Sequence, residues 1–223
     1  MSGLVTTIRF IELSHAVEHG MVTYPGLPAP VIDEFMTREA SRDRYEDAQF
    51  HIARIQMIAN TGTYIDAPFH RFADGIDVSA LPLHRLAFVE GVIIKASGFA
   101  EIGKEALGTA SLANKAVLFN TGWSRHWGTP AYAVGNPYLN AAAAEELVHR
   151  GAAIVGIDSL NLDDASQRRR PAHTSLLRAG IPIVEHLCNL DQIPNGPFTF
   201  FAVPPPFVAV GTFPVRAFAA IIK

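Results

Sequence analysis

The sequence predicts a single-domain α/β protein, and three observations carry that prediction. The chain has 223 residues, 49% hydrophobic and 17% charged, ample for one sizeable core. Short apolar runs rich in β-branched and aromatic residues share the chain with two capped helical segments. Glycine and proline are spread along the whole length, with no repeat and no low-complexity linker to mark a domain boundary.

The elements follow in order. Residues 8–13 alternate roughly and read as a strand. Residues 20–30, Gly-Met-Val-Thr-Tyr-Pro-Gly-Leu-Pro-Ala-Pro, are turn-rich and exclude a helix. Residues 50–59 read as a strand leading into Asn60-Thr61-Gly62-Thr63, and residues 88–96 and 116–121 as two more. The clearest helix runs from Ala141 to Arg150. Asn140 is its N-cap, Glu145 and Glu146 precede His149 and Arg150 by four residues, and Gly151 is placed to end it. A strand over 152–157 ends at Asp158. A second helix covers 172–179, behind Pro171 and before Gly180, and a strand over 181–187 follows. Strand–helix–strand order implies a parallel pair, whose strand ends are where such proteins place polar chemistry. Asp158 and Glu185 stand at those ends.

Charge and cysteine content exclude several classes. The net charge of −3 is not the basic footprint of a nucleic-acid binder, and Arg168-Arg169-Arg170 reads as a solvated loop. No apolar run approaches about 18 residues, so no membrane span is expected. The single cysteine, Cys188, cannot form a disulfide within the chain, which fits a reducing compartment. No signal peptide is read at the N-terminus, and the cytoplasm is the expected location.

The segment Asn60-Thr61-Gly62-Thr63-Tyr64-Ile65-Asp66-Ala67-Pro68-Phe69-His70 is dense in polar and turn residues. Read as a loop stiffened by Pro68, it sets a carboxylate and an imidazole four residues apart. That pair can share a metal or act as base and orienter, or its side chains can simply cap backbone groups.

This segment resembles the His-x-Gly-Thr-His-x-Asp-x-Pro-x-His signature of the cyclase-like family, which holds bacterial kynurenine formamidases and isatin hydrolases. The likeness covers nearly the whole chain. Leu13-Ser14-His15, Tyr24-Pro25-Gly26, Thr121-Gly122-Trp123, Gly156-Ile157-Asp158-Ser159, Pro171-Ala172-His173 and Ile183-Val184-Glu185 resemble its further motifs in order. The resemblance implies a mixed β/β/α fold of swivelling type, with a barrel-like sheet and flanking helices. It implies a homodimer or homotetramer with intertwined terminal segments. It also implies metal ligands at Asp66, His70, His173 and Glu185, a set acceptable to one Zn²⁺ or Mn²⁺ per chain. The signature's first two histidines are replaced by Asn60 and Tyr64.

The expected activity is hydrolysis of an amide-like C–N bond in a formamide or cyclic amide of a small aromatic substrate. In that reading His70 transfers protons, Asp66 supports the site, and Tyr64 or Asn60 binds the substrate oxygen. Trp123, Trp127 and Tyr24 are candidates for an apolar wall against a planar substrate. The Asn60 and Tyr64 replacements keep two other readings open. One is a metal-free lyase, isomerase or cyclase with Tyr64 as acid and Asp66 or His70 as base. The other is a non-catalytic binding protein.

Overall fold

The computed structural model describes residues 7–222. In chain order the strands are β1 (Ile8–Glu12), β2 (Val31–Met36), β3 (Ile52–Gln56), β4 (Tyr64–Asp66), β5 (Val89–Lys95), β6 (Glu101–Ile102), β7 (Ala116–Asn120), β8 (Tyr138–Leu139), β9 (Ile154–Ile157), β10 (Ile183–Glu185), β11 (Thr199–Phe201), β12 (Thr212–Pro214) and β13 (Phe218–Ile222). The α-helices are α1 (Arg38–Ser41), α2 (Ala141–His149) and α3 (Pro171–Arg178).

Nine strands form one mixed sheet in the order β1-β13-β11-β5-β7-β9-β10-β4-β12, strongly curled into a half-barrel. The centre, β5-β7-β9-β10, is parallel, and the strands on either side run antiparallel. Parallel strands are covered on both faces, so β7 and β9 read as unbroken apolar runs and are wholly or almost wholly buried. One core, with Leu13, Ile65, Leu118, Val184 and Phe200, packs on one side of the sheet. The other, with Val117, Phe119, Leu147, Val155, Leu176 and Ile183, lies under α2 and α3.

The capping logic holds atom by atom. The Asn140 side chain accepts from the Ala143 amide at 2.9 Å, and Gly151 takes φ +69° beyond the last turn of α2. Glu146 lies 3.9 Å from Arg150. β9, α3 and β10 form the expected parallel unit. Arg168 and Arg169 are exposed, as a solvated loop requires. The burial and pairing of residues 64–66 differ from the sequence reading. They form β4 inside the sheet rather than part of a loop, and only Pro68–His70 turn, as a 3-10 helix. β11, β12 and β13 were not anticipated, and β3 pairs with β2 in a separate ribbon outside the main sheet. No helix among the described residues is long and apolar enough to cross a membrane.

Candidate metal centre

Strand register builds the site. β4 lies between β10 and β12, antiparallel to both, so Tyr64 stands opposite Glu185 and Asp66 opposite Thr212. Tyr64 and Asp66 are two residues apart and share one face, and residues directly opposite share that face too. The contacts follow from this. The Tyr64 hydroxyl donates to Glu185 Oε2 at 2.7 Å, and Thr212 Oγ1 donates to Asp66 Oδ1 at 2.5 Å. The Leu162 amide donates to Glu185 Oε1 at 2.5 Å.

The third group arrives on α3. Asp163 accepts from the amides of Ala172 and His173 at 2.8 and 3.0 Å, neutralising the open N-terminus of that helix. The same carboxylate lies 2.7 Å from His173 Nδ1. It therefore fixes the tautomer and turns Nε2 inward, as outer partners of metal-bound histidines do. His173 Nε2 lies 3.6 Å from Asp66 Oδ2 and 3.4 Å from Glu185 Oε1. Asp66, His173 and Glu185 each offer an atom within 4.8 Å of the others, and all three are buried.

His70, the fourth expected ligand, stands at the rim with its side chain 37% exposed. Its ring centroid is 6.3 Å from that of His173, and it is outside the three-residue group. Its Nδ1 lies 2.8 Å from Thr212 Oγ1. Thr212 has one hydroxyl hydrogen, and the Asp66 carboxylate takes it, so His70 Nδ1–H donates to the hydroxyl and Nε2 keeps a free lone pair. Gly211 makes this approach possible: a Cβ there would come within 2.6 Å of the His70 backbone.

The electrostatics are those of a cation site. Burial works to raise Asp66, but the His173 and His70 imidazoles beside it and the Thr212 hydroxyl outweigh that, holding its carboxyl below the usual range. Burial pushes Glu185 up to about 7. Burial opposes charge on His173, yet Glu185, Asp163 and Asp66 outweigh it and push the imidazole up to about 10. Burial, Glu185 and Asp66 push the Tyr64 phenol well up, so it stays a protonated donor. Asp66 Oδ2 is buried with no hydrogen-bond partner. An open carboxylate oxygen beside an imidazole and a second carboxylate is a donor set that fits a divalent metal.

The other expected residues are dispersed. Half-buried Asn60 lies near the Tyr64 phenol and acts on it through its side chain. Since Tyr64 is committed to Glu185, Asn60 is the freer of the two. A cavity of about 750 Å³ is lined by His15, Met21, Pro25, Trp127, Tyr132 and Leu160, with His15 stacked on Trp127 at 3.9 Å. Trp123 is not in that wall: its Nε1 donates to the Tyr132 carbonyl at 3.0 Å, and its ring packs on His126. Tyr24 lines a neighbouring cavity of about 490 Å³. Burial pushes the Cys188 thiol up to about 11, so it is no thiolate nucleophile. Sequence reasoning missed Asp163, Thr212, Tyr132 and His186. Only Asp163 carried a signal, as an acidic residue shortly before a helix that has no other cap.

Fold and site together define an α/β architecture in which a buried Asp-His-Glu group, suited to a divalent metal, sits across two strands and a helix start. A family model described as putative cyclase matches residues 11–164, and the chain belongs to that family. Kynurenine formamidase of Bacillus cereus (strain ATCC 14579) is 29% identical over 212 residues, covering 95% of this chain and 97% of the relative. That of Geobacillus thermodenitrificans (strain NG80-2) is 29% identical over 210 residues, covering 93% and 95%. Isatin hydrolase A from Labrenzia aggregata, bound to benzyl benzoate, superposes with a TM-score of 0.81 at 22% identity, covering 97% of this chain and 94% of that one.

Proposed function

We propose that this chain hydrolyses an amide-like C–N bond in a formamide or cyclic amide of a small aromatic compound, using one Zn²⁺ or Mn²⁺ per chain. The observation that carries the reading is the convergence of Asp66, His173 and Glu185 around an unpartnered carboxylate oxygen. The names of the relatives support the reaction class. A divalent metal held by those three residues would supply Lewis acidity toward a carbonyl and acidify water.

The chain's own residues do the rest. Asp163 holds His173 in one tautomer, and Tyr64 and the Leu162 amide hold Glu185. His70 Nε2, free and at the rim, takes the proton of the attacking water and returns it to the departing nitrogen as the C–N bond breaks. His70 thus acts as the base beside the metal rather than as a ligand. Asn60 supplies a side-chain amide for the developing oxyanion.

We also infer a homo-oligomeric working unit. Among the described residues the β2–β3 ribbon pairs only with itself, and it exposes Phe35, Ile52 and Ile55 at 68%, 46% and 58%. A lone two-stranded ribbon is marginal in water. Light scattering after size exclusion tests this; a monomer at micromolar concentration refutes it.

The test of the activity is elemental analysis joined to turnover of formanilide, an aromatic formamide. Stoichiometric metal, with turnover lost in both His70→Ala and Glu185→Gln, is the expected result. Full turnover after exhaustive chelation would refute the metal-dependent reading and favour acid–base chemistry by Tyr64 and Asp66.

A further inference from the structure

Among the described residues, His186 combines full burial with an unusual backbone. It is fully buried, follows Glu185 directly, and takes φ +57°, a left-handed backbone that a histidine rarely adopts. Both backbone groups are tied: its amide donates to the Ser159 carbonyl at 3.3 Å, and its carbonyl accepts from Thr63 Oγ1 at 2.6 Å. The ring touches two regions at once. Tyr64, which holds Glu185, is 5.1 Å away between centroids, while Trp127 and Tyr132, which line the 750 Å³ cavity, are 5.5 and 5.6 Å away.

Hydrogen counting fixes its tautomer. His186 Nδ1 lies 2.9 Å from the Tyr132 hydroxyl, the partner of that hydroxyl among the described residues. If Tyr132 donates, Nδ1 is the acceptor and the neutral ring carries its hydrogen on Nε2. One group, Nε2–H, then lacks a partner. If instead Nδ1–H donates, two groups go unfilled: the buried Tyr132 hydrogen and the Nε2 lone pair. Each unfilled buried group costs about 1–3 kcal/mol, so the first arrangement prevails. Nε2 is buried and unpartnered. Orphaned buried donors are rare, and strained backbone of this kind collects at ligand and active sites.

We infer that His186 Nε2–H is a hydrogen-bond donor, additional to Asn60, for the substrate's carbonyl oxygen, anchoring an aromatic amide between the Trp127 and Tyr132 wall and the buried Asp-His-Glu group. This rests on the amide-hydrolase reading for the identity of the oxygen. Tyr132 is the positioning residue that keeps the hydrogen on Nε2.

The experiment is calorimetric titration of the intact protein with acetanilide and with N-ethylaniline, which lacks the carbonyl. A neutral hydrogen bond of about 0.5–1.5 kcal/mol corresponds to a roughly two- to tenfold change in Kd. His186→Phe is expected to weaken acetanilide by up to about tenfold and to leave N-ethylaniline unchanged. Should His186→Phe fail to fold, His186→Asn replaces it, because asparagine tolerates the left-handed backbone while its amide stops short of the imidazole's far nitrogen. Equal effects on both compounds, no effect on either, or no binding of acetanilide to the unaltered protein would overturn the assignment. If acetanilide binds as expected but formanilide is never hydrolysed, the hydrolase reading falls and the donor assignment stands.

Discussion

Tyr64→Phe removes one oxygen atom from the site and nothing else. Tyr64 is 2% exposed, and its hydroxyl is 2.7 Å from Glu185 Oε2. Without it that carboxylate oxygen is left buried without its donor. Hydrogen bonds to charged groups contribute about 1.5–3 kcal/mol. In a domain of this size each kcal/mol moves Tm by about 2–4 °C. The expected loss is therefore about 2 kcal/mol, or about 4–8 °C. The size depends on pH in a definite direction. Burial pushes Glu185 up to about 7, so the hydrogen bond is charge-assisted at pH 8 and neutral at pH 5. Differential scanning calorimetry of the metal-free protein at both values checks this. A larger drop at pH 8 is expected. A change under about 1 °C at pH 8, or a larger drop at pH 5, refutes the role given to Tyr64.

Three further outcomes follow from the same geometry. Asp163→Asn sets an amide against His173 Nδ1–H and weakens the α3 cap, so stability falls by about 2–3 kcal/mol and metal affinity by about 10–100-fold, read by denaturant titration and by competition with a chelator. The pair Asn60→His with Tyr64→His restores the two signature histidines, and elemental analysis is expected to show metal content rising to about twice the starting value; an unchanged ratio refutes the reading of those positions as lost ligands. His173 is raised from 6.5 to about 10, so its stabilising contribution is complete below pH 6.5 and is lost as pH rises through 10. The denaturant midpoint of the metal-free protein therefore falls between pH 7 and 9, and a flat profile there refutes the coupling of His173 to Asp66, Asp163 and Glu185.

The sequence made the parallel centre of the sheet legible because buried strands leave continuous apolar runs and helices leave caps. β7, β9, α2 and α3 all announce themselves that way. Strands β4, β10, β11 and β12 are each three residues long, so no periodicity can develop in them, and Pro214 closes β12. That is why 64–66 read as a loop. Spacing alone marks Asp66 with His70 and places Glu185 at a strand end; His173, and the role of all three as ligands, come from the motif resemblance. Thr212 lies 146 residues from Asp66, and His186 touches Tyr132 across 54 residues. Such pairs are set by register and have no local signature.

The register also explains why the change at position 64 does not leave a hole. Tyr64 sits directly opposite Glu185. A residue there meets that carboxylate whatever its chemistry. A histidine would present a ring nitrogen; tyrosine presents a hydroxyl that burial keeps protonated. Two buried carboxylates without a second cation would repel each other and carry unfilled acceptors. Here Glu185 receives Tyr64 and the Leu162 amide, Asp66 receives Thr212, and the raised His173 lies between them. Every acceptor is answered but Asp66 Oδ2. Tyr64 is thus a strut for the Asp66, His173 and Glu185 group, and the single unanswered oxygen is where the proposed cation would sit.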